Sequence, residues 1–143
     1  MTMAGIKRDS PANLNFIRLD LARTPEFPEG SSAHRYEFLA PLTKDAHIDA
    51  AAWKAVKDRC EVTRVWGHEA LQFGFLRHVG KGWRFDYDKK DDTDDEPFFK
   101  LDRHALTPGA YVSVTEHDGV QRPFIVVSVV PIGNQPHERG SSN

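Results

Sequence analysis

The stretch 70–88, ALQFGFLRHVGKGWRFDYD, carries the strongest structural signal in the chain. Two alternating runs flank a Gly-x-Gly at 80–82, which is the pattern of a β-hairpin. A three-residue loop, Gly80 to Gly82, pairs Val79 with Trp83, Arg77 with Phe85 and Phe75 with Tyr87. That register gathers Phe73, Phe75, Val79, Trp83, Phe85 and Tyr87 on one face and leaves His78, Arg84, Asp86 and Asp88 on the other. A two-residue loop at Lys81-Gly82 would mix the two sets. A slip of one residue turns a strand over, so the sequence favours the three-residue loop.

Upstream of the hairpin, residues 14–22 alternate, with a Phe16-Ile17 doublet that calls for a bulge or for cover on both faces. Residues 33–39 form a second strand in which His34, Tyr36 and Phe38 share one face, and Pro41 ends it. A helix follows. Asp49 is its N-cap, Ile48 and Trp53 are placed as a hydrophobic staple, and Trp53, Val56 and Cys60 form one apolar stripe. Residues 61–66 return as a strand, with Gly67 as a break.

Downstream, residues 86–96 are a charged loop expected to be mobile, and 98–106 a further strand. Pro108-Gly109 makes a turn. Residues 111–116 and 121–130 then form a second hairpin around Asp118-Gly119, pairing Val112 with Ile125 and Val114 with Pro123. Pro123 belongs at a sheet edge or bulge, and 125–130, apolar on both faces, is expected to be the most buried strand. The fold class is therefore α+β: a mostly antiparallel, strongly curved sheet or small open barrel, SH3-like in its C-terminal pattern, with one short helix. Residues 1–13 read as a disordered lead-in, 14–131 as one domain and 132–143 as a disordered tail.

The Tyr36-Glu37-Phe38, Ala40-Pro41-Leu42, Ile48-Asp49, Trp53, Pro108-Gly109 and Tyr111-Val112-Ser113 segments resemble those of a group of small bacterial proteins of unassigned function. The resemblance spans residues 14–130 and implies no activity.

The 143 residues fit one domain, and 39% hydrophobic with 28% charged content is ordinary for a globular chain. A net charge of −2 with both signs interspersed opposes nucleic acid or an anionic membrane as partner. The longest apolar run, 124–131, is far short of the ~20 residues a span needs. No apolar signal core occurs near the N-terminus, and a single cysteine fits a reducing cytoplasm.

No catalytic motif is present. Cys60 lies at the C-terminal end of the helix, where the dipole opposes a thiolate, so it reads as packing. His68-Glu69 begins like a zinc-protease helix, but Gln72 stands where the second histidine would be. The acidic loop lacks EF-hand spacing, and Gly80-Lys81-Gly82 is no phosphate loop, because no helix follows it. Nothing specifies a cofactor or a metal. The candidate ligand-binding residues are Trp66, His68, His78, Arg84 and His104, since an aromatic beside His and Arg suits a small anionic or aromatic ligand. Two functions follow: a binding module for such a ligand or for a protein partner, or a small enzyme drawing acid/base groups from His68, Glu69, His78, Arg84 and His104.

Overall fold

The computed structural model describes residues 14–80, 82–87, 105–115 and 119–132. The sequence expectations for the termini, for most of the acidic loop, for the strand at 98–104, for His104 and for Asp118 fall outside them. Among the described residues, seven antiparallel strands form one sheet in the order β5-β4-β3-β2-β1-β7-β6. They are β1 (Leu14–Leu21), β2 (Ser31–Pro41), β3 (Glu61–Trp66), β4 (Gln72–Val79), β5 (Gly82–Tyr87), β6 (Tyr111–Thr115) and β7 (Gln121–Pro131).

The sheet curls into a half-barrel. Flat neighbouring strands lie ~4.8 Å apart, so strands three places apart should be ~14 Å distant. Yet the Phe85 ring on β5 sits 4.7 Å from the Tyr36 ring on β2, and Phe124 on β7 lies 6.4 Å from Trp66 on β3. The concave side holds the core: Ile17, Leu19, Tyr36, Phe38, Val62, Leu76, Phe85, Val114 and Phe124 are all buried.

One end of the half-barrel is closed by α1 (Ala50–Val56) and the 3-10 turn Lys57–Arg59 after it. Asp49 caps α1 by accepting from the Ala52 N–H at 3.0 Å, and both Ile48 and Trp53 are buried, as a staple requires. Trp53 then docks on the hairpin. Its indole N–H donates to the Leu76 carbonyl at 3.0 Å, and its ring meets Trp83 edge-on at 5.6 Å.

The hairpin register differs from the one the aromatic count favours. Val79 pairs with Gly82, His78 with Trp83, Arg77 with Arg84 and Leu76 with Phe85. The loop is therefore the two residues 80–81, and Gly80 takes the positive φ of 61° that a tight hairpin turn demands. β5 faces as expected, with Trp83 and Phe85 inward, but β4 is turned over. Leu76 is fully buried, while Phe73 is 59% exposed. The physical reason is that β4 carries apolar side chains on both faces, so counting aromatics outweighed the turn chemistry at Gly80. Consequently His78 and Arg84 are not neighbours. They lie on opposite sides of the sheet.

The second hairpin also shifts by one residue. Val112 pairs with Phe124 and Ser113 with Pro123, placing Val112 and Phe124 together in the core. Pro123 lies one residue past the last β1 partner, at the end of that ladder, and its carbonyl accepts from the Ala22 N–H. Strand β7 is not the most buried. Val127 and Val130 face solvent, and Val127 is an extra residue bulged out between the partners of Arg18 and Leu19. The strand richest in buried residues is β1, with five of its eight buried. Phe16 is exposed on the convex side, and the irregular steps of β1 fall after Arg18 and after Asp20. Ala105 and Leu106, expected at a strand end, are irregular.

Candidate functional site

The end of the half-barrel away from α1 is built from polar side chains in core phase. On β3, Arg64 alternates with Val62 and Trp66, so all three face the concave side. Cross-strand pairing sets Tyr36 beside Arg64, His34 beside Trp66 and Gln72 beside Arg64. The curl then brings β7 across the opening and carries Arg122 and Phe124 to the same place.

Arg64 is the decisive residue, because its whole residue is only 3% exposed. Burying a guanidinium is costly without hydrogen bonds and an electrostatic counterpart. Arg64 Nε donates to the Tyr36 hydroxyl at 3.3 Å and Nη1 donates to Gln72 Oε1 at 3.1 Å. The plane of the group lies over Trp66, 4.3 Å from the ring centroid, a close cation–π contact. A second guanidinium, Arg122, lies 5.9 Å from the same centroid. Two exposed carboxylates reach in from loops: Glu69 meets Arg64 at 3.5 Å and Glu26 meets Arg122 at 3.4 Å.

His34 completes the group. Its ring meets Trp66 edge-on at 4.7 Å and Phe27 at 4.5 Å, and Nδ1 lies 2.8 Å from the Ser31 hydroxyl. Its other nitrogen packs against Gly67, where a Cβ would come within 3.2 Å of Nε2. Gly67 also has φ of 59°, a conformation that side-chain-bearing residues rarely adopt, so glycine suits the position. Ala33, His34, Trp66, Gly67, His68 and Glu69 line an open hollow of about 620 Å³. A second hollow, of about 400 Å³, includes Glu26 and Arg122 in its wall.

The residues singled out in the sequence are therefore divided. Trp66 is in the site, and His68 and Glu69 stand exposed on its rim. His78 is at the helix end, stacked on Trp83 at 4.2 Å and edge-on to Trp53 at 6.0 Å. Arg84 is on the convex face opposite Arg77, and His104 lies outside the described residues. The aromatic beside a histidine and an arginine does exist, but its members are His34, Arg64 and Arg122. His34 and Arg64 carried a visible signal, since each stands in phase with core residues on its own strand.

Cys60 is buried at the helix end, and its thiol donates to the Val56 carbonyl at 3.4 Å. Burial pushes the thiol up to about 12, with nearby Arg59 opposing only in part. Among the described residues, no three His, Cys, Asp or Glu side chains group as a metal site would need, and no helix is long and apolar enough to cross a membrane. No protein-family model, curated protein or solved structure matches the chain.

Proposed function

We propose that this chain is a binding module that holds an anionic ligand at the open end of its half-barrel. The observation that carries this reading is the convergence of a buried Arg64 and a second guanidinium, Arg122, on the one indole of Trp66. Two cations at one ring call for negative charge beside them, and Glu69 and Glu26 both reach the pair. A guanidinium fixed by stacking and hydrogen bonding meets a carboxylate or phosphate with little further loss of entropy. His34, Trp66 and the rim residue His68 line one hollow at this end, and Arg122 lines the other. The single free thiol and the likeness to small bacterial proteins support a bacterial cytoplasmic setting.

His78 and Arg84 face opposite sides of the sheet, so one pocket cannot draw on both. Thermal unfolding in succinate or pyrophosphate, against sodium chloride at matched ionic strength, tests the binding reading. Site binding raises Tm along a mass-action curve, and Arg122→Gln abolishes the rise while the convex-face control Arg18→Gln keeps it. An equal rise in all three proteins would be a general salt effect and would overturn the reading.

A further inference from the structure

The convex face of the sheet carries a symmetric pattern of its own. Cross-strand pairing sets two rows across β3, β2, β1 and β7: Thr63, Glu37, Arg18, Ser128 and, one step along, Val65, Arg35, Asp20, Ile125. At the centre the four charges alternate in both directions. Arg18 bonds Asp20 along β1 at 2.8 Å and Arg35 bonds Glu37 along β2 at 2.7 Å, while Arg18 stands opposite Glu37 and Asp20 opposite Arg35. The Asp20 hydrogen bond raises the Arg18 guanidinium above its ordinary value despite partial burial, and Glu37 adds to this from the next strand. The square has no net charge. Exposed apolar side chains border it: Phe16, opposite both Leu39 and Val130, and Phe73, opposite Thr63. Each row reads alike from either end once its charges are exchanged. In the first a hydroxyl flanks the charge pair on both sides, and in the second a branched apolar side chain does.

We propose that this face binds a second copy of the chain about a two-fold axis running along the strands between β1 and β2. The symmetry of the pattern names the partner, because a two-fold interface has to be self-complementary. The axis exchanges the two strands, so Glu37 of one copy lies over Arg18 of the other and Arg35 over Asp20. It also lays Val65 over Ile125, Thr63 over Ser128 and Leu39 over Phe16. Every charge gains a second opposite charge without giving up its own partner. A shift of one row sets Glu37 over Asp20 and Arg18 over Arg35, so repulsion as well as attraction fixes the register. Because the sheet is curled, two convex faces touch over a strip little wider than these four strands, and the dimer is weak and reversible.

Sedimentation equilibrium of the full chain, with nitrogen-15 NMR on dilution, tests this. Concentrated wild type sediments towards the dimer mass, and high salt weakens the association. Dilution moves the backbone signals of Arg18, Asp20, Arg35 and Glu37 while those of α1 stay in place. Glu37→Gln alters two facing pairs per dimer and weakens it by about fivefold. Asp45→Asn, the same charge change on the connection between β2 and α1, leaves it unchanged. A variant carrying Arg18→Glu, Asp20→Arg, Arg35→Glu and Glu37→Arg keeps the alternation with every sign inverted, so it pairs with itself and not with wild type. If that variant does not fold, the comparison of Glu37→Gln with Asp45→Asn decides alone. A wild type monomeric at every concentration overturns the proposal, as do dilution shifts that spare those four residues. Equal behaviour of Glu37→Gln and Asp45→Asn overturns it too, and so does a folded inverted variant that pairs with wild type or fails to pair with itself.

Discussion

Truncating Leu76 tests which way β4 faces. Leu76 is fully buried on the concave side, where its register partner is Phe85 and its carbonyl accepts the Trp53 indole N–H. Leu76→Ala removes three carbon atoms from a site bounded by sheet and helix, which cannot collapse easily. The expected cost is ~3–5 kcal/mol, from lost transfer energy plus the cavity left behind. Phe73 is three residues earlier and larger, but at 59% exposed on the convex side its truncation should cost under ~0.5 kcal/mol. Equilibrium unfolding in urea reads both. With a slope of ~1.5 kcal/mol/M, Leu76→Ala lowers the midpoint by roughly 2 M or more, while Phe73→Ala leaves it within about 0.3 M. The register with Phe73 and Phe75 inward predicts the reverse order. Phe73→Ala proving as costly as Leu76→Ala would refute the concave–convex assignment of β4, and with it the separation of His78 from Arg84.

Gly67→Ala places a Cβ 3.2 Å from His34 Nε2 at a φ of 59°, and should cost ~1–2 kcal/mol while shifting the His34 ring resonances. Unaltered His34 signals would mean the two do not touch. Burial raises the Cys60 thiol from near 9 to about 12, so its contribution to stability is complete below pH 9 and is lost as pH climbs from 9 towards 12. Wild type should therefore lose about 1 kcal/mol relative to Cys60→Ala between pH 8 and pH 10, and the folded thiol should resist iodoacetamide at pH 8. Alkylation at the rate of a free thiol would contradict its burial.

Elements were legible wherever one local signal stood unopposed. Asp49, Ile48 and Trp53 specify the start of α1 within a few residues, and Tyr36 and Phe38 fix the inner face of β2 because Arg35 and Glu37 alternate with them. Registers were less legible. Phe73 and Phe75 compete with Leu76 for the inner face of β4, and only the turn at Gly80 breaks the tie. The second hairpin fails similarly, since Val112 has apolar residues at both 124 and 125 to choose between. In the site, Trp66 and its rim neighbours His68 and Glu69 could be named from sequence. Arg64 was hidden by the expectation that a strand arginine faces water, although its phase with Val62 and Trp66 says otherwise. Arg122 had no local signal at all. It reaches Trp66 because the sheet curls, and β7 is separated from β3 by two intervening strands.

The three tryptophans offer the most direct measurement of the proposed site. Trp53 and Trp83 touch one another at the helix end, and Trp66 stands at the open end between Arg64 and Arg122's reach. Their indole N–H signals, assigned with Trp66→Phe, can be followed in nitrogen-15 NMR during separate titrations with succinate and pyrophosphate. The Trp66 signal should move saturably with at least one of the two anions, while those of Trp53 and Trp83 stay in place. A Trp66 signal that stays fixed in both titrations, or that moves only as far as the other two, would contradict anion binding at this end of the half-barrel.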